Sequence, residues 1–591
     1  MNSRHSMVRF PRVDGAPDAR YDVVIMGGGL AGLTLGLQLK NARPSTSVMV
    51  AEKRSGPAPS AAFKVGESTV EQSAHYFADV LGMRDHMEKA QHPKSGLRYF
   101  WPSNGNTDIT ARLEWGPAEF AGPSQFQLDR GLFENELMRR NILAGVHAFD
   151  GCRVLDVSVG DDGHTITVSR EDELGGAEEA TVSCRWLIDA TGRAFTLKRK
   201  LGLEKNSPHK VNSAWLRLAG GLDISDFSDD PAWRARARAP RVRVSSTNHL
   251  LGEGYWVWLI SLASGPISIG IVADPRFHPY EQINTLEAAL DWLREHEPQL
   301  FEVIDRRRDD IEDFLKVEHF SYGCERVYSP QRWCLTGEAG TFSDPFYSPG
   351  SDFIAIANTF INDLVTRDLD GEDVSGLIEG YNAQYLLLFE AFLKLYVDQY
   401  QVFGNPRVMV SKVAWEHALY WAIGAVRFLN GKLTDLEWTV GVAPALQTVL
   451  QLNDRIEPLF IRWHELLPPS DQPSGYLSTT EVPLVGELQR SLETPVTDDE
   501  ALTQILLDNA HKLRAFAVLV FGEALKVLPA DQRPADDARI RPEAMSLDPG
   551  CWEEDGLIGE DGITLAEARE RIPGLDRLLS LEAVSMAQAP A

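Results

Sequence analysis

The chain of 591 residues is long enough for two or more domains, and 43% hydrophobic with 24% charged residues is the balance of an ordinary globular protein. A net charge of −27 disfavours sequence-independent nucleic-acid binding and docking on anionic membranes, both of which call for a basic surface. Five scattered cysteines without a C-x-x-C offer no zinc site and are expected to be reduced thiols of a cytoplasmic protein.

Residues 1–20 carry basic side chains but no apolar segment, so a mobile tail rather than a secretory signal is expected. Next comes Tyr21–Gly32, YDVVIMGGGLAG, the stretch that sets up the first domain. Val23, Val24 and Ile25 form an apolar run suited to a strand buried on both faces. Gly27, Gly29 and Gly32 then satisfy G-x-G-x-x-G, and Leu33–Leu39 continues as a helix. The first glycine permits the tight turn, the second lets backbone approach a pyrophosphate, and the third lets helix pack on strand. A second strand ends at Glu52-Lys53, at the distance where an acid binds ribose hydroxyls. The reading is a dinucleotide site, with only one such unit visible.

A polar loop leads to Lys64-Val65-Gly66-Glu67-Ser68-Thr69, then to helical spacing over Glu71–Leu81 closed by Gly82. Gly96–Trp101 reads as a strand, with Lys94 just before it. Phe126–Arg140 runs from a strand end, through Gln127 and Arg130, into an amphipathic helix. Asp161-Asp162-Gly163 joins a predicted hairpin, and Cys184–Ile188 is a buried strand ending in Asp189-Ala190-Thr191-Gly192. Val211–Asp274 is mostly strand, Trp333–Thr336 returns to the parallel sheet, and Phe353–Leu364 is a helix capped by Ser351 or Asp352. Beyond Leu377 the chain is dominantly helical. Its most apolar stretches, Trp415–Leu429 and Ala515–Leu525, are interrupted by charge or too short to cross a membrane.

The fold class expected is α/β: a Rossmann-like dinucleotide-binding domain, an inserted β-sheet substrate region and a C-terminal mainly helical domain. The expected boundaries are 21–375 for the nucleotide-binding module, with its inserted sheet at about 205–330, then 376–528 for the helices and 529–591 for an acidic tail with one short helix.

The set GGGLAG, KVGEST, QLDR, DATGR and GEAGTFSDPFYSPGSD (337–352) resembles the FAD-dependent halogenases of natural-product biosynthesis, within the glutathione-reductase-type flavoprotein monooxygenases. A more specific marker is Trp256–Ser261, WVWLIS, which resembles the halogenase signature W-x-W-x-I-P with serine in place of proline. The resemblance covers about residues 20–365, and the helical remainder looks most like the longer chloramphenicol-type halogenases. It implies FAD held by Gly27, Gly29, Leu30, Ala31, Gly32, Glu52, Lys53, Gly66, Glu67, Ser68, Gln127, Arg130, Ala190, Thr191, Gly192, Gly337, Glu338 and Pro345. Asp274 is added to that set as a carboxylate approaching the flavin, with a plain turn residue as the other reading.

The resemblance further implies reduced FAD from a separate flavin reductase, O2, and a chloride or bromide ion turned into hypohalous acid. A lysine then directs that acid to an electron-rich or enolisable carbon of a small molecule, free or tethered to a carrier protein. Lys94 occupies the matching position; by sequence alone a lysine there is ordinarily a surface residue. Lys64 is the competing candidate.

Two departures from the pattern matter. The glutamate of the tryptophan halogenases is missing before Ser348-Pro349-Gly350, so Tyr347 is expected to supply a hydroxyl at the lysine instead. Pro349 has no N–H, which leaves the amides of Gly350 and Ser351 for the halide. Trp256 and Trp258 are expected to keep substrate off the flavin. Ser261 and Pro349 also support the alternative, a flavin monooxygenase that hydroxylates or epoxidises without halide. Arg234–Arg243, rich in arginine, reads either as a carrier-docking patch or as a solvated charged loop.

Overall fold

The computed structural model describes residues 19–61, 64–119, 122–171, 177–239, 241–468, 473–478 and 482–582. The expected N-terminal tail lies outside them except for residues 19 and 20, which begin the first strand. The chain forms two compact units. One comprises Met1–His92, Leu128–Pro208 and Ser321–Glu390; the other comprises Pro93–Gln127, His209–Phe320 and Ala391–Ala591. Neither follows the expected linear boundaries, because each is assembled from three separated segments.

The first unit is built on a sheet ordered His147–Phe149, Val48–Ala51, Ala19–Met26, Ala177–Asp189, His164–Glu171, Cys152–Val159, with Trp333–Leu335 also pairing Ala177–Asp189. Val23, Val24 and Ile25 are fully buried and flanked by parallel neighbours on both sides, which is why the segment is continuously apolar. Ala177–Asp189 is longer than the predicted Cys184–Ile188. Its early residues pair antiparallel with the hairpin partner, and its later residues pair parallel with the first strand.

Helix Gly350–Leu369 starts earlier than predicted, and neither Ser351 nor Asp352 caps it. Ser348 at φ 59° and Pro349 turn the chain straight into the helix. Asp352, now in the first turn, instead accepts from Ser73 N at 2.8 Å. Deeper along this helix, the fully buried Asn358 accepts from Thr336 Oγ1 at 2.7 Å and donates to Ala31 O at 3.1 Å and Thr34 Oγ1 at 3.0 Å. One amide thus clamps this helix, the loop after Trp333–Leu335 and the helix Leu30–Ala42.

The second unit carries a sheet ordered Ile311–Val317, Asn212–Leu218, Ile267–Ala273, Tyr255–Ser261, Thr247–Gly252, Leu97–Phe100, Leu113–Gly116, Gly475–Ser478. Only the first five of these fall within the expected insert at 205–330; the rest come from about residues 97–116 and 475–478. Between Leu218 and Thr247 the described residues form a short helix, Pro231–Ala235, rather than strand. One set of alternate residues, including Leu216, Leu250, Val257, Leu259 and Ile269, packs on Leu290, Leu293 and Ile304 from helices Leu286–His296 and Pro298–Asp305.

Glu114, fully buried in this unit, accepts from Arg98 and from Arg243 Nε and Nη2, the latter two at 2.8 Å. Burial opposes its ionisation, but Arg98 and Arg243 more than offset that and hold its pKa below the ordinary value. Arg243 is therefore neither solvated nor available for docking, while Arg234, Arg238 and Arg241 are exposed. Replacing Glu114 by Gln leaves two buried guanidiniums short of their counter-charge. It should destabilise the protein by about 3–5 kcal/mol, measured by urea denaturation.

The final segment is not an acidic tail with one helix. Its described residues bury Ile540, Leu547, Leu557, Ile572 and Leu575, and Leu565 covers Gly522 of helix Asp499–Ala524. The predicted Leu565–Leu579 helix is two, Leu565–Arg571 and Leu575–Leu579, broken at Gly574 with φ 80°. Among the described residues, no helix is long and apolar enough to cross a membrane.

Candidate active site

In the first unit the glycine turn is set by its own backbone. Gly27 has φ 108°, and a Cβ there would lie 2.4 Å from Ala190 O; a Cβ on Gly32 would lie 2.0 Å from Gly27 O. Gly28 N donates to Glu52 Oε2 at 2.7 Å and Arg54 N to Glu52 Oε1 at 2.8 Å, so the acid is anchored beside the turn. Helix Leu30–Ala42 has Gly29 as its cap with no side-chain bond, leaving its first N–H groups for an anion. Asp189 accepts from Thr191 N at 2.9 Å, Thr191 Oγ1 at 2.6 Å and Leu197 N at 2.7 Å, which fixes the Ala190-Thr191-Gly192 loop. Burial nevertheless pushes its pKa up.

A cationic knot lies beside this turn. Arg130 Nη1 donates to Val65 O and Nη2 to Glu134 Oε1, both at 2.7 Å, and Lys64 Nζ reaches Glu134 Oε2 at 2.7 Å. Burial works against ionised Glu134, but Arg130 and Lys64 hold its pKa below the ordinary value. Gly66 has φ 88°, and a Cβ there would lie 2.8 Å from Arg130 Nη1. Leu128 N donates to Glu67 O at 2.6 Å. Arg130 Nε is buried with no partner among the described residues. Gly337, at φ 58°, leaves room for Ala31, and Glu338 pairs with Arg193 at 3.0 Å. Close backbone approach, an uncapped helix start, nearby cations and an anchored acid fit a dinucleotide.

In the second unit the other face of the sheet is aromatic. Cross-strand register puts Trp115 opposite Tyr99, Tyr99 opposite His249, His249 opposite Trp258, and Trp258 opposite Gly270, which in turn faces Trp215. Directly opposed residues share a face, so these rings form one row. Tyr99 stacks on His249 at 4.9 Å, His249 lies 5.3 Å from Trp256, and Trp256 lies 5.8 Å from Trp258. Gly270 makes room for Trp258, whose ring would lie 2.1 Å from a Cβ there. Trp256 Nε1 donates to Tyr400 Oη at 2.9 Å and Trp258 Nε1 to Ser268 Oγ at 3.1 Å.

Lys94 ends the short strand His92–Lys94 and is only 4% exposed. Two imidazoles, the buried His249 and the half-buried His417, feel its charge. Burial first, then the Lys94 ammonium, bring His417 down to about 3; for His249, with a similar value, the bond to Arg98 O partly opposes them. His249 Nδ1 is 3.0 Å from Arg98 O, and His417 Nε2 is 3.3 Å from Tyr99 Oη. His417 comes from helix Pro406–Leu419, and its ring lies 6.1 Å from Trp115 and 5.2 Å from Trp421.

The family model for the FAD binding domain matches residues 20–264. Flavin-dependent halogenase chlA of Dictyostelium discoideum is 28% identical over 432 residues, covering 68% of this chain and 70% of its own. The 1H-pyrrole-2-carbonyl-(peptidyl-carrier protein) brominase of Pseudoalteromonas luteoviolacea is 27% identical over 365 residues, covering 60% and 79%. Residues 20–264 form an FAD binding domain, and the chain is similar to flavin-dependent halogenases. The crystal structure of halogenase PltM with phloroglucinol and FAD shares the fold, with TM-score 0.61 and 17% identity over 82% of this chain and 98% of PltM.

The FAD-site candidates Gly27, Gly29, Leu30, Ala31, Gly32, Glu52, Lys53, Gly66, Glu67, Ser68, Arg130, Ala190, Thr191, Gly192, Gly337, Glu338 and Pro345 fall in the first unit, as do Tyr347, Gly350 and Ser351. Gln127 and Asp274 fall in the second. The Asp274 carboxylate accepts from Arg276 N at 2.9 Å and from the Arg276 guanidinium at 2.6 Å, bonds of the kind a turn residue makes. Lys64 Nζ pairs with Glu134 and would lie 3.6 Å from a Cβ on Gly29. Glu134, Asn358, Tyr99, His249 and His417 carry no signal in the sequence of the contacts they make. No spacing links residue 94 to residues 249 and 417, and a histidine in an apolar helix reads as core.

The two histidines make folding pH-dependent in a defined direction. In the unfolded chain they titrate near 6.5. The folded state binds fewer protons between there and about 3, so stability present above pH 6.5 is lost as pH falls through that window. The loss should reach about 2 kcal/mol per histidine by pH 5. Urea denaturation at pH 7 and 5 should show a correspondingly smaller pH slope in the His249→Gln/His417→Gln double variant.

Proposed function

We propose that the protein is a two-component FADH2- and O2-dependent halogenase that uses Lys94 to direct hypohalous acid to an electron-rich or enolisable carbon. The observation that carries this reading is a buried lysine beside an aromatic sheet face, where a surface lysine would have no reason to be. Gly27–Gly32, Glu52, Lys64, Gly66, Arg130, Ala190–Gly192 and Gly337 would hold the dinucleotide. When bound in reduced form, FAD supplies the electrons that turn O2 and halide into hypohalous acid.

The chain's own groups do the rest. The amides of Gly350 and Ser351, at a helix start without a side-chain cap, receive the halide. Tyr347, buried against Phe346, supplies a hydroxyl. The Lys94 ammonium donates to the oxygen of hypohalous acid and polarises the O–halogen bond. Trp256 and Trp258 present bulk that keeps substrate off the flavin and disfavours direct oxygenation.

A separate flavin reductase delivers the reduced cofactor, since only one dinucleotide unit is evident in the sequence. The substrate is a small molecule, free or tethered to a carrier protein. Net charge of −27 opposes acidic carrier proteins, and the arginine-rich stretch loses Arg243 to the interior. The unbridged cysteines support a cytoplasmic location. The test supplies flavin reductase, NADH, O2 and chloride or bromide with a panel of electron-rich aromatics. Halide-dependent halogenated product is expected; oxygenated product without halide dependence would instead establish the monooxygenase favoured by Ser261 and Pro349.

A further inference from the structure

We propose that Glu134 is a positioning residue for the cofactor: it holds the Lys64 ammonium beside Gly29, where Lys64 neutralises the diphosphate of FAD. The proposal deepens the reading of Gly27–Gly32 as the dinucleotide turn and rests on it. Gly29 is the second glycine of the fingerprint, the one at which main chain and diphosphate approach each other. Lys64 Nζ would lie 3.6 Å from a Cβ on Gly29, so the ammonium stands at that same point. Helix Leu30–Ala42, which Gly29 caps, has no acidic residue in its first turn, so its positive end and the ammonium act on an anion together.

The fold fixes Lys64 from two sides. Arg130 and Glu134 lie one turn apart on helix Arg130–Leu143 and share a face. Arg130 Nη1 donates to Val65 O, which holds the main chain next to Lys64, and Nη2 donates to Glu134 Oε1, both at 2.7 Å. The other carboxylate oxygen takes the Lys64 ammonium at 2.7 Å, and Arg54 Nη1 lies 3.9 Å from it. The loop between Arg54 and Lys64 is pinned to the same helix, with Ala58 N donating to Asn135 Oδ1 at 2.7 Å and Asn135 Nδ2 to Ala58 O at 2.8 Å. Three cations thus share one carboxylate, and the positive excess matches the two negative charges of a diphosphate diester.

Exposure separates the roles. The Glu134 side chain is fully buried and has no surface for a ligand to touch, whereas that of Lys64 is 40% exposed. An ammonium has three N–H donors, so a bond to Glu134 is compatible with one to a phosphate oxygen. A lysine loose in solvent gives up much rotamer freedom when it binds. The Glu134 bond fixes the side chain in the free protein, so that loss does not fall on the binding step. Without the carboxylate the three cations repel one another, and the exposed lysine is the one able to move away.

The test titrates full-length apoprotein with FAD and with ADP, which keeps the diphosphate and lacks the flavin. Lys64→Met should weaken both by the same factor, about 10-fold, the loss expected of one charge-assisted bond. It should also flatten the dependence of affinity on sodium acetate concentration, and Lys64→Arg should restore that dependence. Glu134→Gln should weaken both ligands too, and by less when Lys64→Met is already present, because the two substitutions remove one shared interaction. Glu134→Asp, which keeps the charge on a shorter stem, takes its place if Glu134→Gln does not fold. Unchanged FAD and ADP affinity in Lys64→Met overturns the proposal, and strictly additive losses overturn the positioning role of Glu134. Weakened FAD with unchanged ADP moves Lys64 to the flavin end of the cofactor and overturns the diphosphate assignment. A wild-type apoprotein that binds neither ligand removes the dinucleotide reading itself.

Discussion

Lys94→Ala should bring halogenated product down by roughly 10²–10³-fold or below detection, because a charged donor aimed at developing negative charge in a dry site is worth that much. Reduced-flavin oxidation and FAD binding should be unaltered, since the dinucleotide cradle draws on residues 27–32, 52, 64–68, 130 and 189–192. The two measurements separate transfer from cofactor chemistry. The variant also removes the ammonium that depresses His249 and His417, so both imidazoles should titrate higher, burial alone still holding them below 6.5. Circular dichroism at pH 8, where both are neutral, is the control for folding. A variant that halogenates at the wild-type rate would sink the assignment of Lys94.

Gly32→Ala should weaken FAD binding by about 10²-fold or more, through overpacking of the kind that costs 1–3 kcal/mol and here involves backbone on both sides. The new Cβ would lie 2.0 Å from Gly27 O, and neither atom has a flexible side chain to give way. The turn and the helix start must separate, which moves the N–H groups off the pyrophosphate. Gly27→Ala adds a strained φ of 108° to a 2.4 Å approach to Ala190 O and should be as damaging. Gly376→Ala is the matched control. It lies in helix Ser375–Lys394 with nothing within 4 Å of the added Cβ, so it should be neutral or stabilising by about 0.5–1 kcal/mol. Flavin retained through purification, and fluorescence titration of the apoproteins, would report the difference; equal affinity in all three would refute the argument.

The FAD half of the protein was legible because its signals are local. A buried strand, three glycines at fixed offsets and an acid after the next strand each impose a backbone requirement that only certain residues meet, so the requirement shows in the sequence. Glu52 was found that way, and the structure anchors it on Gly28 N. The helix start near Ser351 was legible in type but not in position. A left-handed Ser348 and a proline open the helix early, and the carboxylate expected to cap it bonds to Ser73 instead.

The surroundings of Lys94 were not local. Lys94 stood out only by resemblance, and its burial was invisible, because a lysine in a polar loop looks the same whether the fold covers it or not. The aromatic face needed the strand order: Trp115, Tyr99, His249 and Trp258 are adjacent only because four strands pair in one sheet. The last segment looked like a tail because its acidic surface outweighs the few apolar residues that dock it. The sequence by itself determined the cofactor class and the glycine turn, whose constraints act over a few bonds. Only the tertiary structure decided what surrounds Lys94, since desolvation and the mutual field of a lysine and two imidazoles depend on distances that folding alone creates.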